Sequence, residues 1–389
     1  MSRLLRIAAE ELRCLLADRG ALVVLVAGTL FYGFFYPLPY RDQVARAVPV
    51  AVVDLDRSAA SRQLTRMIDA TEQVGVVRVL RERAEAERLL RSGVVAGVVE
   101  IPDGFERRLL RGETGRVGAW GNAAYLLLYS QVAGGVSDAV GTFGAGLTLR
   151  RLEQAGVPPA TAMALAQPLP LDIHELFNPG GGYGTYVVPA VLVLILQQTA
   201  LIAIGMVSVG RRDGERQGGQ PPLGDVLGRM LAYLPVQLLL ALVLLVFVHG
   251  VYGFPRQASL PLALWTLLPF LLATSAFGLL LGEVFGSRET VLQVLMLLGV
   301  PMLFLAGFAW PAEAMPRPLL WLGWLLPSSA GIDGFLRVVQ MGAPLREVAG
   351  AWTGLWALAL AYAGLAAWAL RRRRAQRGAV PAGAAGDAG

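Results

Sequence analysis

The chain has 389 residues, of which 55% are hydrophobic and only 16% charged, against roughly 25% charged in soluble domains. Its formal charge of +6 is carried by arginine alone, since the sequence holds no lysine. This excludes a lysine Schiff base and the phosphate loop G-x-x-x-x-G-K-[ST], whose lysine reaches the β/γ-phosphates. A single cysteine, Cys14, excludes a disulfide framework and a thiolate cluster, and His174 and His249 are too far apart in sequence to suggest a metal site.

Apolar residues fall in blocks separated by arginine-bearing loops, as expected when the surrounding solvent is lipid. The first block, Ala21 to Tyr36, is short and ends in Phe31, Tyr32, Phe34, Phe35 and Tyr36. A signal peptide is the competing reading, but Pro37-Leu38-Pro39 follows where a small-residue cleavage site would stand. The region 1–20 precedes this span, which is taken as 21–37. Residues 38–182 then form one long insertion with sixteen arginines and sixteen acids between 41 and 182.

The insertion reads as an α/β unit. Val48 to Leu55 is a continuous β-branched run typical of a buried strand. Asp56-Arg57-Ser58 offers helix caps before Leu64, Met67 and Ile68 at helical spacing. Further strands are predicted over Val74–Leu80, Val94–Ile101 and, weakly, Val117–Trp120, with helices over Ala84–Leu90 and from Pro102-Asp103-Gly104 to Leu110. From Ala123 to about Gly156 a helical region is expected, interrupted at Gly134, Gly135, Gly141, Gly144 and Gly146. Alternating elements argue for a sheet backed by helices. Asp54 and Asp56 suit turn and cap chemistry better than a metal or acid/base pair, because two carboxylates without a third ligand specify nothing. His174 and Glu175 suit a solvated surface pair.

Five further apolar segments follow, Tyr183–Val209, Met230–Val251, Leu260–Leu281, Thr290–Ala309 and Val348–Leu370, completing a bundle over 183–370. Fourteen arginines lie before the first span, around the loop from Arg211, Arg212 and Arg216 to Arg229, at Arg288, and in the basic tail 371–389. All fall on one side of a six-span path, so the positive-inside bias puts both termini in the cytoplasm and the insertion outside. Gln197, Gln198 and Thr199 sit mid-way along the second span, where they line a substrate path or subunit interface or make helix–helix hydrogen bonds. Gly278 and Gly282 suggest a close-packing face. No chain of intramembrane carboxylates suggests a proton-coupled carrier. Between the fifth and sixth spans, Trp310-Pro311-Ala312-Glu313-Ala314-Met315-Pro316 and the short apolar stretch Leu319–Leu326 read as a re-entrant or interfacial hairpin near 310–330. The fold class is therefore an α-helical polytopic membrane protein with six transmembrane helices and an extracytoplasmic α/β domain inserted between helices 1 and 2.

Several stretches together resemble the type-two family of ABC exporter permeases. They are VAVVDLDRSAASRQL, VAGVVEIPDGFERRLLRGE, Asn178-Pro179 with Val188-Pro189, Gly307-Phe308-Ala309-Trp310-Pro311 with Glu313-Ala314-Met315-Pro316, and Pro327 with Gln340-Met341-Gly342-Ala343. The resemblance implies a permease dimer seated on two ATPase subunits that bind ATP and Mg²⁺, so this chain needs no cofactor and is not itself an enzyme. It also implies an N-terminal amphipathic helix over 1–20, for which Leu4, Leu5, Leu12 and Leu15 with Arg3, Arg6 and Arg13 are suited. The ATPase-coupling loop would comprise Arg211, Arg212, Asp213, Glu215 and Arg216, with Arg229 where the family often has a lysine. Here the loop departs from the family's R-E-x-G-T pattern and carries Pro221-Pro222. The expected partners are ABC ATPase subunits, a second permease copy or paralogue, the lipid bilayer and, for members with a large outside domain, a periplasmic adaptor protein, with no nucleic acid. The expected location is the bacterial inner membrane and the expected cargo hydrophobic or amphipathic. A non-transporting sensor or scaffold that displays the outside domain is the alternative. Five spans beyond the one such an anchor needs favour transport.

Overall fold

The computed structural model describes residues 3–169, 173–214 and 221–378. The chain divides into two compact units, one of Val44–His174 and one of Met1–Gln43 with Glu175–Gly389. The first is narrower than the 38–182 expected. Gln43 stays with the helices because its carbonyl accepts from the Tyr183 amide at 2.8 Å and its side chain from the Thr185 amide at 2.9 Å.

The smaller unit is built on four strands, β1 (Val48–Asp54), β2 (Val74–Leu80), β3 (Gly97–Ile101) and β4 (Gly118–Gly121), in the order β2-β1-β3-β4. β1 pairs in parallel with both β2 and β3, and β4 closes antiparallel on β3. Each parallel step is bridged by a helix, Ala59–Asp69 and then Arg83–Arg91, as parallel pairing requires. Alternation along β1 separates two cores: Val50 and Val52 face Leu64, Ile68, Val132 and Val136, while Ala51 and Val53 face Ala86 and Val95.

The glycine-rich region does not break. Leu126–Gln154 is one helix of 29 residues. Each interior glycine costs only about 1 kcal/mol relative to alanine, and burial of Val132, Val136, Ala139 and Phe143 on the sheet offsets it. Asp54 and Asp56 are turn and cap residues. Asp54 accepts from the Asp56 and Arg57 amides at 3.1 and 2.8 Å and from Ser61 Oγ at 2.8 Å. Asp56 caps the helix Phe105–Leu110 through the Glu106 amide at 3.0 Å, and the Glu106 carboxylate in turn accepts from the Ala60 amide at 3.0 Å. Despite partial desolvation, bonds from Ser58 and the amides of Glu106, Phe105 and Gly104 hold the Asp56 carboxyl below its usual range.

The larger unit is a helical bundle. Six helices are long and apolar enough to cross a membrane: Arg19–Tyr40, Tyr183–Arg212, Pro222–Tyr252, Leu260–Val284, Arg288–Leu305 and Leu345–Gln376. Before them runs the amphipathic helix Arg3–Ala17, and between the fifth and sixth lies a broken pair, Arg317–Trp324 and Pro327–Gln340, bent by 82°. Side-chain and proline caps set the starts. Asp18 accepts from the Ala21 amide at 3.1 Å, Ser287 from the Thr290 amide at 3.1 Å, and Pro222 occupies the first turn of the third span, where its missing N–H leaves nothing unsatisfied. The second span is the centre of the bundle: its most apolar window is 89% buried, against 17% for the fifth. Gly278 and Gly282 let the fourth span lie against it, since a Cβ at Gly282 would stand 2.4 Å from Ser208 Cβ. Three stretches, Val23–Gly28, Leu244–Val248 and Leu336–Gln340, are π-helical. The final helix runs on to Gly378, so the basic segment begins as part of the bundle and not as a separate tail.

Candidate functional site

One end of the bundle gathers the arginines. The amphipathic helix buries Ile7, Glu11 and Leu15, packs Leu12 against the core and leaves Leu4 and Leu5 exposed, so the four predicted leucines divide between two faces. Ile7 fits over Gly228 of the third span, where a Cβ would come within 2.7 Å. Glu11, with no exposed surface, accepts from Arg211 of the second span and from Tyr233 Oη at 2.5 Å, and lies 3.9 Å from Arg229 Nε. Arg229, 2% exposed, is held by Asp225 one turn earlier, through Nε at 3.2 Å and Nη2 at 3.0 Å. Asp225 also accepts from Arg374 of the sixth span at 2.7 Å. Four helices therefore meet on two buried carboxylates.

Two smaller ionic contacts flank this cluster. Arg212 donates to the Phe285 carbonyl at 2.7 Å and to the Glu283 carbonyl, and Arg373 lies 3.0 Å from the Glu283 carboxylate. Arg288 pairs with Asp18 at 2.6 Å. Burial opposes ionisation of Asp18, but the Arg288 contact and the Ala21 and Gly20 amides outweigh it, so its carboxyl stays below the usual range. Of the predicted coupling residues, Arg211, Arg212 and Arg229 are thus engaged within the bundle. The side chain of Asp213, and Glu215 and Arg216 entirely, lie outside the described residues.

Sequence reasoning missed Glu11, Asp225, Tyr233 and Arg374. Two signals were present. Glu11 stands between Ile7 and Leu15 at spacings of four, an acid on an apolar stripe. Asp225, Arg229 and Tyr233 recur every four residues and so share one helix face.

Mid-way along the second span, the three predicted polar residues go to three neighbours. Gln197 donates to Ser328 Oγ of the broken pair at 3.2 Å, Gln198 to the Leu295 carbonyl of the fifth span, and Thr199 Oγ1 lies 2.7 Å from Thr29 Oγ1 of the first. Each is a helix–helix hydrogen bond of the kind worth about 0.6 kcal/mol in a membrane. Gln197 Oε1 is buried with no partner.

At the opposite end a cavity of about 1050 Å³ opens among the start of the second span, the end of the fifth, the broken pair and the sixth span. Of the predicted outer-hairpin residues, Pro311, Glu313 and Met315 line it. Pro316 caps the helix Arg317–Trp324, and Trp310 is 55% exposed. The sixth span contributes a small-residue face of Gly350, Gly354, Ala357 and Ala361. Tyr186 Oη donates to the Phe308 carbonyl and Ser329 Oγ to the Leu305 carbonyl at 3.1 Å, which fixes the walls. Tyr186 and Arg211 sit at the two ends of one helix, roughly 40 Å apart at 1.5 Å per residue. Among the described residues no group of His, Cys, Asp and Glu has the arrangement of a metal site.

The sequence matches the ABC-2 family transporter protein family over residues 19–368. It is also 24% identical over 387 residues to the probable multidrug ABC transporter permease YbhR of Escherichia coli strain K12, covering 96% of this chain and 99% of that one, with the same figures for YbhR of Escherichia coli O157:H7. With six membrane-length helices, a buried ionic cluster at one end and a family match reaching from the first span into the last, the chain belongs to the ABC-2 transporter family as a membrane-spanning permease.

Proposed function

We propose that this permease is the membrane half of an ATP-driven exporter whose ATP and Mg²⁺ are bound by separate ATPase subunits, and that it works as a dimer or with a paralogue. The observation that carries the reading is the ionic cluster. It binds the amphipathic helix, the end of the second span, the start of the third and the end of the sixth into one piece. A push delivered to the loop beside Arg211 reaches all four helices together, because each of the two buried carboxylates is shared by cations from two helices. The exposed Leu4, Leu5 and Leu16 of the amphipathic helix supply an apolar face for an ATPase subunit or the headgroup layer.

The positive-inside bias supports a cytoplasmic location for this end and both termini, an extracytoplasmic one for Val44–His174, and the bacterial inner membrane as the home of the chain. The named relative, a probable multidrug permease, and the apolar cavity support a hydrophobic or amphipathic cargo. An adaptor protein docking on the α/β unit fits the same scheme.

The test is co-purification of the full chain with the ATPase encoded beside it. A stable assembly of two permeases with two ATPases, whose ATP hydrolysis depends on the permease, is the expected result. Asp213→Ala with Glu215→Ala is expected to weaken that assembly while leaving the chain folded. Failure of any ATPase to bind sinks the exporter reading and favours a displayed sensor.

A further inference from the structure

The cavity at the outer hairpin has a chemistry that the ionic end lacks. Among the described residues its only charged lining side chains are Glu313 and Asp333, both acidic. Four aromatic residues, Phe177, Tyr186, Phe308 and Trp324, complete the wall. Rings present a negative face to a cation, an attraction of about 0.5–2 kcal/mol each depending on desolvation. Acids and rings together therefore favour positive charge, and the apolar remainder favours a hydrophobic body around it. The volume stands at the upper end of the roughly 300–1,000 Å³ range of small-molecule sites.

Two features mark the wall as built and not incidental. Phe177 adopts a left-handed backbone with φ of 65°, a conformation that a bulky residue adopts at a cost and that clusters at binding sites. Its carbonyl is held by the buried Gln340 amide at 3.2 Å, which also reaches the Thr185 carbonyl at 3.3 Å. Asp333, meanwhile, is only loosely satisfied. Its contact to Arg337 is 3.6 Å long with both side chains well exposed, a pairing worth little that an incoming cation can displace.

We propose that this cavity is a binding site for amphipathic organic cations, with Glu313 and Asp333 as counter-charges and the aromatic wall holding the apolar body. This deepens the permease reading by naming a cargo class and rests on that reading for its use in transport. Binding itself requires no ATPase.

The experiment titrates the full chain in lipid nanodiscs with tetraphenylphosphonium and, separately, with tetraphenylborate, an anion of nearly the same shape. Saturable binding of the cation alone is expected. Glu313→Gln with Asp333→Asn, at exposed positions where the neutral isosteres keep the shape, is expected to weaken cation binding about tenfold. Ala357→Trp, which sets an indole in the cavity without altering charge, is expected to weaken it, with melting temperature and elution volume showing that both variants are folded. The proposal is overturned if the anion saturates with the same affinity, or if the carboxamide pair or the indole leaves the cation's Kd unchanged. Cation binding without an ATPase partner would sink the exporter reading alone. An ATPase complex that ignores the cation would sink this inference alone.

Discussion

Glu11 and Glu313 occupy opposite ends of one bundle and opposite physical situations. Glu11 has no exposed surface and is enclosed by Arg211 of the second span and Arg229 and Tyr233 of the third. Glu313 is exposed at the mouth of a cavity and accepts no hydrogen bond among the described residues. A carboxylate of the first kind fixes helices relative to one another, since its loss strands cations in low dielectric. One of the second kind keeps its charge available to a newcomer. The contrast separates a part that ties helices together from a part whose charge is left open.

The largest expected effect breaks the ionic side of this contrast. Glu11→Ala leaves Arg211 and Arg229 without their shared counter-ion and is expected to lower stability by about 3–5 kcal/mol, read as a fall in the denaturation midpoint of the detergent-solubilised chain. A loss below about 1 kcal/mol would show that the cluster is hydrated and not buried. Arg374→Ala removes one charged hydrogen bond while Arg229 continues to satisfy Asp225, so a loss of about 2 kcal/mol is expected. A double-mutant cycle with Asp225→Ala should then return a coupling energy clearly above zero, and additivity would contradict the contact.

Acid should act more gently on the flank of the cluster. The Asp18 carboxyl is held below its usual value in the folded chain, so its contribution is present above about pH 4 and is lost as pH falls through the folded value. Melting temperature is expected to drop on acidification in that window, and Arg288→Ala should blunt the drop. At the cavity end, Glu313→Gln is expected to change stability by no more than about 0.5 kcal/mol. A large loss there would mean that the carboxylate holds the hairpin together, and the contrast between the ends would fail.

Much of this architecture is legible in the sequence. The six apolar blocks, the β-branched run Val48–Leu55 and the glycine pair Gly278/Gly282 each announce the element or close approach they form, because burial in lipid or in a sheet leaves a strong compositional trace. The ionic cluster is half legible. Arg211 and Arg229 stand out as charges near span ends and Asp225 lies one turn from Arg229, but Glu11 stands about 200 positions from Arg211, Arg374 reaches Asp225 from 149 positions away, and no local pattern pairs Glu11 with Tyr233. The cavity is legible only as a hairpin: Pro311, Glu313 and Met315 are marked by their motif, whereas Gly350, Gly354 and Ala357 read simply as more apolar helix. The uninterrupted helix Leu126–Gln154 differs for a related reason, since propensity counts each glycine against the helix while the sheet beneath counts only Val132, Val136 and Phe143 in its favour.

The three π-helical stretches at Val23–Gly28, Leu244–Val248 and Leu336–Gln340 bear on how this chain tolerates changes in length. An i→i+5 turn holds one more residue than the α-turn on either side of it, so Val23–Gly28 and Leu244–Val248, which helix follows, each accommodate an extra residue without rotating the helix beyond them, whereas Leu336–Gln340 ends its helix. Deleting a single residue from Leu244–Val248 would tighten it to an ordinary α-turn and leave the His249–Tyr252 face where it is. The same deletion inside Leu260–Val284 would swing every later side chain by about 100° and turn Gly282 away from Ser208. The bundle thus has two marked places where the chain can lose one residue and keep the same neighbours.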